Sequence, residues 1–140
     1  MTNTMATAKI NPETKEIATR LGMKGHHFHE DSRGFIIVKR TGIEYIAGKL
    51  HIDAELTPFL EWSNPEDGRY VIRCDARRPM GDGTWTKVTT FGEVTKANNR
   101  NAYPIAMAEK RAVSRAVLKL AGLYKEGMYG EDEMEEVSKG

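Results

Sequence analysis

A chain of 140 residues with 39% hydrophobic content suits one domain with one modest core rather than two. No apolar run approaches the ~18 residues of a membrane span, and the opening residues MTNTMATAKI lack the apolar stretch of a secretion signal, so a cytoplasmic protein with no membrane attachment is expected. A single cysteine, Cys74, excludes an intramolecular disulfide.

The net charge of +1 hides an asymmetry. Residues 126–140 hold six acids and one base, which leaves residues 1–125 with 20 bases against 14 acids, or +6. Between Arg69 and Lys119 there are eleven bases and four acids. A basic body favours a polyanionic partner, bound in a salt-dependent way.

In chain order, Asn11-Pro12-Glu13 reads as an N-cap with proline in the first helical position, opening a helix that stops near Gly22. The cluster His26-His27-Phe28-His29-Glu30-Asp31 follows in a glycine-flanked loop. It offers a metal reading through His27 and His29 with Glu30 or Asp31, against a surface or phosphate-adjacent one. With no cysteine nearby, no metal or other cofactor is expected. Phe35–Val38 is a short apolar run that suits an extra strand. Thr41-Gly-Ile-Glu44 has capping-box spacing, and Ile43, Ile46, Ala47 and Leu50 recur at helical intervals.

Three strand-like runs come next, Ala54–Trp62, Arg69–Arg77 and Thr84–Gly92. They are separated by the turn signals Asn64-Pro65-Glu66-Asp67-Gly68 and Pro79-Met80-Gly81-Asp82-Gly83. In the middle run Tyr70, Ile72, Cys74 and Ala76 alternate with Arg69, Val71, Arg73, Asp75 and Arg77, giving one apolar and one mostly charged face. Cys74 on the apolar face reads as a small core residue rather than a nucleophile. The loop Lys96-Ala-Asn-Asn-Arg-Asn101 then leads to Pro104–Ala121. There Ile105, Ala112, Val113, Ala116, Val117 and Leu120 share one helical side, with Arg111, Arg115 and Lys119 in a stripe beside it. Glu109 projects into the apolar side and calls for an ion pair with an arginine of the sheet or of a neighbouring subunit.

The expected fold is therefore α+β: a three-stranded antiparallel β-meander flanked by helices in the order α-β-β-β-α, with the long basic helix packed on the sheet. Residues 1–34 form the N-terminal helix and His-containing loop, 35–125 the core, and 126–140 an acidic tail expected to be disordered after Tyr129. Competition with nucleic acid for the basic surface, a partner protein and simple solubilisation are three roles open to that tail.

A helix, a meander with an Asp-Gly turn and a helix carrying AEKRAVSRAVLKLAG together resemble the core of the single-strand annealing proteins of the Rad-fifty-two superfamily, whose phage relatives include the Sak and Erf recombinases. The similarity is best from Gly83-Thr-Trp-Thr-Lys87 through Phe91-Gly92-Glu93 to Ala112-Val113-Ser114 and Ala121-Gly122-Leu123-Tyr124, and covers about residues 41–124. The resemblance implies binding of single-stranded DNA in a positively charged groove and its annealing to a complementary strand without ATP, on a ring or helical homo-oligomer, with no catalytic residue. The absence of a G-x-x-x-x-G-K-[ST] loop agrees with ATP independence.

Annealing requires phosphates to be held while base edges stay free, which calls for Arg and Lys on a rigid frame. Arg69, Arg73, Arg77, Lys87, Lys96, Arg100, Arg111, Arg115 and Lys119 form the pool of phosphate contacts. Asn98 and Asn99 in the loop before the long helix supply further donors, and Trp85, on the strand face of Lys87 and Phe91, is the stacking candidate against a core or interface role. Trp62 and Phe59 read as structural. Three other classes stand beside this reading: a double-stranded-RNA-binding module, which shares the α-β-β-β-α order, an oligomeric adaptor that meets only protein, and a metal-dependent nuclease built on Asp75, Glu93 and Lys96. The nuclease is disfavoured because Glu93 and Lys96 lack the one-residue spacing that shares a strand face.

Overall fold

The computed structural model describes residues 12–30, 36–98, 102–124 and 128–130. In chain order its elements are α1 (Pro12–Leu21), β1 (Phe28–Glu30), β2 (Ile36–Val38), α2 (Arg40–Lys49), β3 (Asp53–Pro58), β4 (Tyr70–Pro79), β5 (Trp85–Val94), α3 (Pro104–Ala121) and β6 (Met128–Gly130). Strands β3, β4 and β5 pair antiparallel as a meander, and α3 packs across β4 and β5, so the protein is α+β with the α-β-β-β-α order of its core. No helix among the described residues is long and apolar enough to cross a membrane.

Period-2 patterning decides which face of the meander meets the helix. Register sets Ile72 opposite Gly92, Cys74 opposite Thr90 and Ala76 opposite Val88, and these even-numbered positions form the helix side. From α3, Ala112, Ala116 and Leu120 pack on Cys74 and Ala76, while Ala108 packs on Ile72 and Val94. Small residues one turn apart let the helix lie close to the strands. A Cβ placed on Gly92 would fall 1.9 Å from the Ala108 carbonyl oxygen and 2.6 Å from the Ala112 nitrogen, so only glycine fits there. Cys74 is wholly buried in this layer, and burial pushes its thiol pKa up, in keeping with a packing role.

The opposite side of α3 completes a second cluster. Val117, Leu118 and Ala121 pack with Ala18 of α1, Phe28, Ile36 and Val38 of the small sheet, and Ile43 and Ile46 of α2. In that sheet β2 is central, antiparallel to β1 and parallel to β6. Helix α3 is thus covered on two sides. It ends at Gly122, whose left-handed backbone (φ +77°) lets its own N–H and that of Leu123 return to the Leu118 carbonyl.

Four local expectations change. The second helix starts at Arg40 with Lys39 as its N-cap and no capping side chain; Thr41 lies inside the first turn, and Glu44 pairs with Arg40 instead (3.3 Å). The first strand of the meander ends at Pro58 rather than Trp62, because Leu60–Trp62 coils into a short 3-10 turn. Ile105 is 50% exposed, since it lies a turn before Ala108, the first α3 residue buried on the sheet. Met128–Gly130, counted with the acidic tail on composition, returns to pair with Ile36–Val38. Residues 131–140 and Phe35 lie outside the described residues.

Candidate nucleic-acid interface

The odd-numbered positions of β3, β4 and β5 point away from α3, and among the described residues no other element covers most of that face. Thr57 stands opposite Arg73, Glu55 opposite Asp75 and Asp53 opposite Arg77; across β5, Phe91 faces Arg73, Thr89 faces Asp75 and Lys87 faces Arg77. A concavity of ≈ 610 Å³ crosses the three strands, with Asp53, Glu55, Asp75, Arg77, Lys87 and Thr89 among its lining residues.

The arginines of this face are not bare. Arg69 meets Glu93 at 3.5 Å, Arg77 meets Asp53 at 3.5 Å, and Arg73 grips Asp75 through Nε and Nη2 at 3.0–3.2 Å. Thr89 also donates its hydroxyl to Asp75 (2.7 Å), and this bond, with those from Arg73, holds the Asp75 carboxyl below the usual carboxylate range. Lys87 is exposed and makes no ion pair among the described residues. Four bases, Arg69, Arg73, Arg77 and Lys87, therefore balance four acids, Asp53, Glu55, Asp75 and Glu93. The expected basic groove is charge-neutral at rest on this face.

Aromatic groups stand at both ends. Trp85, 43% exposed, lies under the Arg77 guanidinium, 4.0 Å from its ring centroid. Six residues along β5, about 20 Å away at the rise of a strand, Phe91 joins Phe59 and Trp62 in a cluster with ring centroids 4.6–5.3 Å apart. Phe59 is tied down by its N–H to the Val71 carbonyl (2.8 Å), in keeping with a structural role. Trp62 remains 54% exposed and Leu60 79% exposed.

The α3 stripe does different work from that expected. Arg111 has no exposed surface; its guanidinium donates to the carbonyls of Glu93 (2.9 Å) and Asn98 (2.8 Å) and to Asn98 Oδ1 (3.1 Å). Arg115, half-buried, donates to the Phe91 carbonyl (2.6 Å). The two arginines, one turn apart, satisfy the Phe91 and Glu93 carbonyls and so cover that end of the β5 edge. Arg111 consequently leaves the pool of phosphate contacts. So does Asn98, which is 8% exposed and whose Oδ1 also accepts the Thr95 N–H (2.7 Å). Lys119 stays exposed, its ammonium 5.5 Å from the Tyr124 ring centroid, and exposed Lys96 runs its stem over Gly68. Asn99 and Arg100 lie outside the described residues.

The geometry therefore brings Arg73, Arg77, Lys87 and Trp85 together, sets Arg69 and Lys96 towards one end and Arg115 and Lys119 along the β5 flank, and removes Arg111 and Asn98. Residues not singled out as part of the surface belong to it: Asp53, Glu55 and Thr89. Their signal was cross-strand register, which alternation alone does not supply. Asp75 and Glu93, read as nuclease acids, are each held by an arginine. Half-buried Glu109 makes no ion pair with a sheet arginine among the described residues.

In the histidine cluster, His27 is buried, accepts the Lys24 N–H at Nδ1 (3.0 Å) and stacks on Tyr45 with centroids 4.8 Å apart. Burial, aided by His26 and Lys24, lowers its pKa from the ordinary 6.5. Among the described residues no three His, Cys, Asp or Glu side chains converge as a metal site; Asp31 lies outside them. No protein-family model matches this sequence, and no curated protein matches it, so the likeness to the annealing superfamily rests on the residues named above.

Proposed function

We propose that the open face of the meander binds single-stranded DNA and that the protein, as a homo-oligomer in the cytoplasm, anneals complementary strands without ATP in recombination or replication. The observation that carries this reading is the Arg77–Trp85 stack beside exposed Lys87, on a sheet face that no other element among the described residues covers. A base stacks on such a platform for about 1–3 kcal/mol, and a neighbouring lysine holds its phosphate without reading the base edge. Arg73, Thr89 and the aromatic end at Trp62 extend the track along β5, with Lys119 and Arg115 flanking it.

Exposed Leu60 and Trp62 favour a second reading, in which that end meets a protein and the surface is an adaptor. Binding of labelled single-stranded DNA, duplex DNA and duplex RNA across a salt series, with mass measured on the same samples, separates the two. Tight, salt-sensitive, single-strand-preferring binding by a large assembly supports annealing. A preference for duplex RNA moves the protein to another class, and no binding at low salt leaves the adaptor.

A further inference from the structure

Resting on that reading, we infer that the acids of the open face, Asp53 foremost, are built-in competitors that weaken strand binding and speed strand release. Each arginine of the open face carries a carboxylate where a phosphate would sit: Asp53 on Arg77, Asp75 on Arg73, Glu93 on Arg69. An arginine fork accepts carboxylate and phosphate in the same geometry, so the two exclude each other on one guanidinium.

The three pairs differ in how firmly they hold. Asp75 receives two guanidinium nitrogens and the Thr89 hydroxyl, whereas Asp53 meets Arg77 through one contact at 3.5 Å with its side chain 67% exposed. Exposed single-contact pairs are weak, so an incoming phosphate displaces Asp53 first and Asp75 last. Arg77 is also the arginine that stacks on Trp85. The first cation freed thus lies on the platform proposed to receive a base.

A freed carboxylate remains on β3 directly opposite Arg77 and recaptures it whenever the phosphate lifts. The surface therefore exchanges strands quickly, as an annealing protein must when its product leaves. Displacing a carboxylate rather than a salt ion also makes binding less salt-dependent than the number of cations on the face would give.

Fluorescent oligothymidylate is titrated into the full chain and into Asp53→Asn and Glu44→Gln, at several salt concentrations, with dissociation rates measured and melting followed to check the fold. Glu44 lies on α2 paired with Arg40, so its variant makes the same charge change away from the sheet. Asp53→Asn is expected to bind about fivefold tighter, to dissociate more slowly, and to steepen the log–log salt slope by about 0.7, one more phosphate neutralised on a single strand; Glu44→Gln stays with the wild type. Binding by Asp53→Asn where the wild type shows none also supports the inference. Equal gains in both variants, or weaker binding by Asp53→Asn, overturn it while leaving the single-strand reading intact. No binding by any of the three overturns the reading and the inference with it.

Discussion

On the helix side of the meander Gly92 lies against the Ala108 carbonyl and Thr90 donates its hydroxyl to the buried Ala112 carbonyl (2.7 Å), whereas at the alternate positions of the same sheet Arg73, Arg77 and Lys87 reach into water. The dry side uses small side chains and fixed backbone contacts, so its geometry has one solution. The wet side uses long side chains in half-exposed ion pairs whose partners can be exchanged. One sheet thus separates what holds the fold from what is free to bind, and mutations on the two sides should separate in their effects.

The largest stability loss should come from Gly92→Ala, whose added methyl meets helix backbone that cannot move aside; about 3 kcal/mol or more is expected by urea unfolding. Arg111→Ala should follow at about 2–3 kcal/mol, because it strips charge-assisted bonds from the Glu93 and Asn98 carbonyls in a buried site. Arg111→Lys should recover little of this, as an ammonium cannot span both carbonyls with the guanidinium's planar fork. On the open side Arg77→Ala and Trp85→Ala should each lower stability by less than about 1 kcal/mol yet weaken single-strand binding about tenfold. A large melting shift in either would break the separation of the two faces.

The smallest effect is a pH dependence outside both faces. Because burial lowers the pKa of His27, the unfolded chain takes up this proton as pH falls through 6.5 while the folded chain resists it. Stability should therefore decline below about pH 6.5 and level off beneath the lowered folded value. Thermal melts between pH 7.5 and 5 should show this decline, and His27→Gln should reduce it.

Much of the dry side was legible in the chain. Alternation from Tyr70 to Arg77 and glycine-bearing turns at Gly68 and Gly83 fixed the meander, and the apolar side of α3 identified what packs on it. The wet side was legible only in part. A helical wheel groups Arg111, Arg115 and Lys119 but cannot show that a sheet edge with unsatisfied carbonyls runs beside the first two. The Arg77–Asp53 pair joins residues 24 positions apart, and only strand register brings them together. The β6 strand is not legible in the chain because its three residues adjoin an acidic run, and its pairing is with β2, more than 90 positions earlier.

The most direct test uses Trp85 itself. Trp62→Phe leaves it the only tryptophan, and the variant's fluorescence is followed as oligothymidylate is added at low and high salt. The account predicts saturable quenching at low salt that is reversed by high salt and greatly reduced by Arg77→Ala in the same background. Binding detected on the labelled strand with no change in Trp85 emission would contradict the assignment of this face as the single-strand site.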